Sequence, residues 1–382
     1  MTGRDVRIVG LLSTATGVGL SARLCIDELQ RSGYCVSTCN LSGIFGVDDE
    51  IAYCSGTVGT GQTGGLTIYH LNPPLMLLGM LAAGPRRYYC GPNIAYWAWE
   101  VPELPPEWIV ALDYVDAIMT PSSFCQEIIQ KYTPKPVFLV PHPIQVVIER
   151  ERGMSVTANG SPFRVLSIFN CGSSLQRKNP FAAIDAFKLA FGDDPDAELI
   201  LKISDGRQHK SEVAELMKYI GAARNIRVLD ALMTEAELDG LIRSADAYIS
   251  LHRSEGFGLS VAEAVMRGIP VVVTGWSGTQ DFCPPDLAYV VDHQQVGLDD
   301  RHPAYCHVRD AHWAEPSISV AARHLLEVRR DPARAMERAA RLRERLIEHI
   351  DAHRYSKAID AFAHGSRPVV DSVPASVQQS LV

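Results

Sequence analysis

The sequence predicts an α/β protein of two doubly wound domains joined by a linker. Three observations carry that expectation. The chain has 382 residues, too many for one ordinary core, so two domains are expected. Apolar strand-like runs alternate with helical patterns, which predicts parallel sheets covered on both faces. The alternation stops at a polar stretch, Glu149 to Ser161, and then starts afresh.

In the first half, Val6 to Leu12 reads as a strand. The loop Ser13 to Gly19 follows, then a helix from about Leu20 to Ser32. Tyr34 to Leu41 and Leu66 to Leu71 are the next strands. The turn Asn72-Pro73-Pro74 then opens an apolar helix. Asn93 to Trp99 and Ala117 to Thr120 are further strands. The second of these runs into Pro121-Ser122-Ser123 and a helix to Lys131. Val137 to Val140 closes the set before Pro141-His142-Pro143.

The polar stretch, with Glu-Arg-Glu-Arg-Gly and Thr-Ala-Asn-Gly-Ser-Pro, has the composition of a linker. The expected limits are therefore 1–148 for the first domain, 149–162 for the linker and 163–350 for the second domain. Residues 351–382 would hold the end of a helix and a loose tail rich in Ser, Pro, Val and Gln.

The second half restarts with a strand at Phe163 to Phe169 and a helix near Pro180 to Phe191. A strand at Glu198 to Ile203 precedes a helix near Ser211 to Ile220. Ile226 to Leu229 is the next strand. The helix Thr234 to Ala245 opens on Thr-Glu-Ala-Glu, a capping-box pattern. Ala247 to Leu251 is a strand. A short helix would run from Leu259 to Gly268, stopped by that glycine and by Pro270 before the strand Val271 to Thr274. Ser317 to Phe362 is helical by charge periodicity.

Composition excludes several function classes. Acids outnumber bases, 44 to 36, which argues against a nucleic-acid binder needing a basic footprint. The nine cysteines form no Cys-x-x-Cys pair, so zinc ribbons and thioredoxin chemistry lack support, and the scattered count suits a reducing cytoplasm. The N-terminus lacks a secretory shape. The richest apolar run, Leu75 to Ala83, is about half the roughly 20 residues a bilayer span requires. It is expected to be a buried helix. A weak membrane-surface contact beside Arg86 and Arg87, at the inner face of the membrane, is the lesser alternative.

The chemistry concentrates in Ser254-Glu255-Gly256-Phe257-Gly258-Leu259-Ser260-Val261-Ala262-Glu263. Glu255 precedes a glycine-rich turn and Glu263 sits in the second turn of the short helix. Between them lies a helix N-terminus whose free N–H groups favour anions. Gly256 and Gly258 would let backbone approach a ligand. An anion site with a carboxylate at each side suits a diphosphate carrying hydroxylated rings at both ends, as a nucleotide-sugar does. A bare pair of surface carboxylates near a helix end is the bland alternative.

This stretch, continued by Gly268 and Pro270, resembles the family-four retaining glycosyltransferases, and the resemblance runs over roughly residues 6 to 350. Ser174-Leu175-Gln176-Arg177-Lys178-Asn179-Pro180 is similar to that family's basic diphosphate loop. Trp97 to Pro102 and Pro121 to Phe124 resemble loops of its polysaccharide-building members. The resemblance implies a GT-B architecture of two Rossmann-like domains. It also implies a nucleotide-sugar donor and a glycan or lipid-linked acceptor.

By the same resemblance, Glu255 would hold hydroxyls of the transferred sugar, and the backbone of Gly256, Phe257, Gly258 and Leu259 would hold sugar and phosphate. Glu263 would bind the ribose. Lys178 with Arg177, and Lys202 as a further cation, would neutralise the diphosphate. The Gly17–Gly19 turn would let the first domain approach the phosphates. Two departures stand out. The strand end Phe169-Asn170-Cys171-Gly172 lacks the arginine many members carry there. Trp99 and Glu100 occupy the loop where many members carry a histidine, which makes Glu100 a candidate for that role. His70 and His142, at strand ends, are expected to be structural.

Glycosyl transfer builds negative charge on the departing diphosphate, and fixed cations and helix N–H groups stabilise it without reorganising. Lysine, arginine and a helix start supply these, so metal-independent departure with no cofactor is expected, and the resemblance implies that the leaving phosphate assists acceptor deprotonation. The leading expectation is a retaining hexosyltransferase of polysaccharide biosynthesis, weakly tilted toward GDP-mannose. The alternatives are an epimerase or phosphorylase on the same scaffold, or a non-catalytic nucleotide-binding subunit.

Overall fold

A computed structural model describes residues 5–45, 51, 53, 65–144 and 161–365. The expected linker, apart from 161 and 162, and the tail from 366 onward lie outside the described residues. The first half holds six strands: β1 (Asp5–Gly10), β2 (Cys35–Asn40), β3 (Leu66–His70), β4 (Asn93–Tyr96), β5 (Ala117–Thr120) and β6 (Val137–Leu139). They pair in parallel in the order β2-β1-β3-β4-β5-β6. Its helices are α1 (Gly17–Arg31), α2 (Pro73–Ala83), α3 (Pro85–Cys90), α4 (Pro106–Ala111) and α5 (Ser123–Gln130).

The second half holds β7 (Phe163–Asn170), β8 (Ala197–Ser204), β9 (Ile226–Asp230), β10 (Ala247–Ser250), β11 (Val271–Thr274) and β12 (Tyr289–Val291). Their parallel order is β12-β11-β10-β7-β8-β9. Helices α6 (Leu175–Lys178), α7 (Pro180–Phe191), α8 (Lys210–Ile220), α9 (Glu235–Arg243) and α10 (Leu259–Met266) connect them. A two-stranded hairpin, β13 (His293–Gly297) and β14 (His312–Pro316), precedes α11 (Ile318–Arg330), α12 (Pro332–Ala352) and α13 (Tyr355–Ala363).

Both sheets are the doubly wound kind expected. In the second, chain order reverses between β7 and β10. In such sheets, ligands bind beyond the carboxyl ends of the strands at that reversal. β8 runs buried over all but its last residue, as a central strand covered on both faces must. The capping box forms: Glu237 N donates to Thr234 Oγ1 at 3.3 Å, and Thr234 N donates to Glu237 Oε2 at 2.8 Å.

Three features depart from expectation. The hairpin β13–β14 carries no apolar alternation, only His-Gln-Gln-Val-Gly on its first strand, so the hydrophobic pattern held no signal for it. The short helices α3 and α4 begin at prolines that otherwise read as turns. The helix α2 is not wholly buried: Met76, Gly79 and Met80 pack inward, while Leu77, Leu78 and Leu81 are 50–61% exposed.

The end of the chain ties the halves together. Helix α12 packs Leu342 and Leu346 into the core around α10. Helix α13 then returns to the first half. Its Tyr355 is fully buried 5.6 Å from the Tyr96 ring, and its N–H donates to Glu28 Oε2 of α1 at 3.2 Å. Burying a side chain of this size contributes on the order of 2 kcal/mol, so the first half's core is completed by the last helix.

Candidate functional site

The site forms where the loops after β7 and β10 meet, at the reversal of the second sheet. Ser174 (φ 65°) and Asn179 (φ 49°) both take left-handed backbone and bracket the single turn of α6. Ser174 caps that turn by accepting from Arg177 N, and Asn179 hands the chain to Pro180 at the start of α7. This presents Arg177 and Lys178 side by side. The two loops are stitched together: Arg253 N donates to Arg177 O at 2.8 Å, and the Arg177 guanidinium donates to Ser254 O at 3.0 Å.

Glu255 stands at the centre. Its Oε1 lies 2.5 Å from Lys178 Nζ and its Oε2 lies 3.2 Å from the Arg177 guanidinium. Its backbone is pinned as well, with N donating to Ser277 Oγ at 2.8 Å and O accepting from Gly278 N at 3.0 Å. Burial pushes the Glu255 carboxyl up, but the Lys178 and Arg177 charges outweigh that and hold it at about 2. Burial lowers the Lys178 ammonium, against the opposing pull of Glu255. Burial would also lower the Arg177 guanidinium, yet Tyr305, Glu100 and Glu255 raise it. His252, buried beside them, is pushed down to about 4 by desolvation and is neutral at pH 7.

Glu100 arrives from the other half. Its Oε1 lies 3.6 Å from the Arg177 guanidinium, and its Oε2 accepts from Tyr305 Oη at 3.2 Å. Arg177 is only 4% exposed and bridges two carboxylates, one from each half. Lys178, the more open cation, completes a chain running Lys178–Glu255–Arg177–Glu100–Tyr305.

Tyr305 was not legible beforehand. It sits in the polar excursion between β13 and β14, where no pattern marks it. That excursion packs Tyr305 against Trp99, with ring centres 5.7 Å apart, and pairs His302 Nε2 with Gly172 O at 3.0 Å. Asp300 accepts from Ser174 Oγ.

The glycines serve packing as much as approach. Gly258 caps α10 at φ 91°, and a Cβ there would meet Thr279 Cγ2 at 2.5 Å. A Cβ on Gly256 would meet Ala98 Cβ of the first half at 3.3 Å, and Gly256 O accepts from Ser122 Oγ at 2.6 Å. Phe257 is buried against His142 and Phe282. Gly19 lets the Thr14 loop fold onto α1, since a Cβ there would collide with Thr14 Oγ1. Gly17 opens α1, and a Cβ there would lie 3.6 Å from Leu259 Cδ1. The N-termini of α1 and α10 therefore meet across the halves.

Glu263 and Lys202 stand apart from this chain. The Glu263 carboxyl is half-buried and accepts no hydrogen bond among the described residues. Burial raises it, with Arg267 and Glu235 as its charged neighbours. Lys202 is 7% exposed and donates to Ile203 O at 3.1 Å; burial lowers its ammonium, and the acids that act on it are Asp230 and Asp205, not Glu255. His70 and His142 are buried and pushed down to about 3 by desolvation, stacked around Tyr96.

A cavity of about 210 Å³ lies beyond the carboxyl ends of β7, β8 and β9, with Ala15 of the first half as its far wall. Among the described residues, no helix is long and apolar enough to cross a membrane.

Among solved structures, Anabaena HepE in complex with UDP and glucose matches with a TM-score of 0.64 at 12% identity, covering 94% of this chain and 99% of that one. The α,α-trehalose 6-phosphate synthase of Burkholderia multivorans matches with a TM-score of 0.58 at 12% identity, covering 95% and 97%. A point mutant of S. aureus TarM, in complex with fondaparinux, alpha-GlcNAc-glycerol and UDP, matches with a TM-score of 0.55 at 12% identity, covering 78% and 55%. The chain thus spans about half the length of TarM. At these identities the likeness establishes the fold, which is GT-B. No curated protein matches the sequence. Residues 123–359 match the model of family 4 glycosyltransferases in conflict systems, and with more than half its length so matched, the chain belongs to that family.

Proposed function

We propose that this glycosyltransferase is a retaining enzyme that moves a hexose from a nucleotide-diphosphate donor to a glycan or lipid-linked acceptor. The observation that supports this best is the ion chain Lys178–Glu255–Arg177–Glu100, which joins both halves beside the N-terminus of α10. A carboxylate held ionised at pH 7 and fixed by two cations is suited to gripping sugar hydroxyls through a transition state of oxocarbenium character. Lys178 and the free amides at the start of α10 would meet the charge growing on the diphosphate, without a metal ion or cofactor. That phosphate would then take the acceptor proton on the same face.

Glu100, 22% exposed on its side chain, is the acid of the first half that would meet the acceptor. Arg177, already enclosed, would act by orienting Glu255 and Glu100. Glu263 would hold the ribose. It lies on the side of α10 whose neighbour Glu235 also acts on Arg23 and Asp27 of α1. The exposed leucines of α2, beside Arg86, would supply the weak membrane-surface contact suited to a lipid-linked acceptor.

The test is transfer and donor hydrolysis with a panel of nucleotide-sugars and glycan or lipid-linked acceptors. Wild type should transfer with retained anomeric configuration, and transfer should survive chelation of divalent ions. Glu255→Ala and Lys178→Ala should abolish transfer in folded protein. Full activity in either variant, phosphate-dependent turnover, or epimerised donor without acceptor would each overturn the proposal. Nucleotide binding with neither hydrolysis nor transfer would point to a non-catalytic subunit.

A further inference from the structure

Helices α1 and α10 meet at their N-termini, where a Cβ on Gly17 would lie 3.6 Å from Leu259 Cδ1. Their other ends line a second cavity, of about 310 Å³, with Glu28 and Arg31 from α1 and Met266 from α10. At about 1.5 Å of rise per residue, α1 alone puts about 20 Å between the two places. Both passages of the chain between the halves reach this cavity. Pro143 and Ile144 lead out of the first half after β6, and Asp351 and Arg354 flank the return from α12 to α13. The remaining wall is α12, with Arg343, Ile347 and Ile350. The cavity therefore lies on the hinge between the halves.

Half of its lining is apolar, and the charged half is unbalanced. Three guanidiniums, of Arg31, Arg343 and Arg354, stand against the carboxylates of Glu28 and Asp351. Both carboxylates are engaged. Asp351 Oδ1 accepts from Arg354 Nη2 at 2.6 Å and from Arg354 Nε at 3.2 Å. Glu28, 4% exposed, accepts from Tyr355 N at 3.2 Å, and the charges of Arg354 and Arg31 act on it. Arg343 differs. It is half-buried and makes no ion pair among the described residues, and its Nε is buried without a hydrogen-bond partner there. A buried donor left unpaired costs stability, so in a native protein it marks a place where an acceptor belongs.

We infer that this hinge cavity is a second ligand site, separate from the donor's, that takes a small organic phosphate. The phosphate lies on the planar fork of the Arg343 guanidinium, with the charges of Arg31 and Arg354 beside it. The organic part lies on Ile144, Met266, Ile347 and Ile350, as the apolar lining of small-molecule sites usually holds it. A metal cation is disfavoured, because guanidiniums outnumber carboxylates and each carboxylate is already paired. A ligand so placed touches both passages of the chain and the outer ends of α1 and α10. It holds the two halves at their hinge, away from the ion chain that joins them beside Glu255. The site stands whichever donor and acceptor the enzyme uses.

The test is calorimetric titration of the full chain with phenyl phosphate and with inorganic phosphate, in wild type, Arg343→Met, Arg343→Lys and Lys178→Ala. Wild type and Lys178→Ala bind phenyl phosphate alike. Arg343→Met binds it about tenfold to a hundredfold more weakly, the weight of a bond to a charged group. Arg343→Lys keeps the charge and loses the fork, and weakens it by at least about threefold. Inorganic phosphate binds wild type at least about tenfold more weakly, because it leaves the apolar wall unused. Phenyl phosphate also slows amide exchange of wild type at residues 142–144 and 350–356. Undiminished binding in both Arg343 variants, or unchanged exchange at both passages, would overturn the site. Binding lost in Lys178→Ala would put the phosphate at the donor's place and overturn it too. Inorganic phosphate binding as tightly would show an adventitious ion only, and no binding of phenyl phosphate would end the inference. Each of these outcomes leaves the proposed transfer activity standing.

Discussion

Replacing Glu255 by Gln tests whether the ion chain exists in solution as drawn. The substitution keeps shape and removes charge, leaving Lys178 and Arg177 facing a neutral amide. The carboxyl falls from an ordinary 4.5 to about 2, which at about 1.36 kcal/mol per pH unit amounts to about 3 kcal/mol. The group is 8% exposed, so solvent screening is small.

The sign is that of a depressed acid. The stabilisation is fully present above pH 4.5 and is lost as pH falls toward 2. Integrating the two titrations, the gap between wild type and Glu255→Gln should be about 3 kcal/mol at pH 7 and about 2 kcal/mol at pH 3.5. Urea unfolding followed by circular dichroism at the two pH values measures it. A gap that is absent at pH 7, or that widens as pH falls, would refute the claim that Glu255 is ionised and paired in the folded protein.

Arg177→Met should cost about 3–5 kcal/mol by urea unfolding, because it strands Glu255 and Glu100 without their shared cation. Adding Glu100→Gln should recover part of that loss, and strictly additive losses would show that the two are uncoupled. Tyr305→Phe keeps the ring against Trp99 and removes the hydroxyl bonded to Glu100. A bond to a charged group contributes about 1.5–3 kcal/mol, so urea unfolding should show a loss of that order. An unaltered unfolding midpoint would show that the Tyr305–Glu100 bond is not made in solution. Gly258→Ala forces a side chain to φ 91° against Thr279, costing at least about 1–2 kcal/mol in the melting curve and weakening donor binding by shifting the start of α10. A melting curve matching wild type would contradict the geometry at that cap.

Local patterning alone announced the regular part of this protein. Strands such as Val271–Thr274 and the helix Pro180–Phe191 fall where apolar runs, prolines and glycines put them, because burial on both faces of a parallel sheet writes a continuous apolar segment into the chain. The glutamate motif was legible for the same reason: a strand end, a glycine turn and a helix start are local events. The tertiary structure alone decided which charges share a bond. Arg177 and Glu100 are 77 positions apart and Tyr305 lies 205 positions beyond Glu100, and none of the three carries a mark of its partners. It also made Lys178 and Glu255 one ion pair, set Lys202 apart from both, and assigned the last helix to the first half's core. Ion pairs and cavities depend on how distant segments are set against one another in three dimensions. Periodicity records only which face of a segment is dry, so it predicts the sheets and is silent about the pairs they bring together.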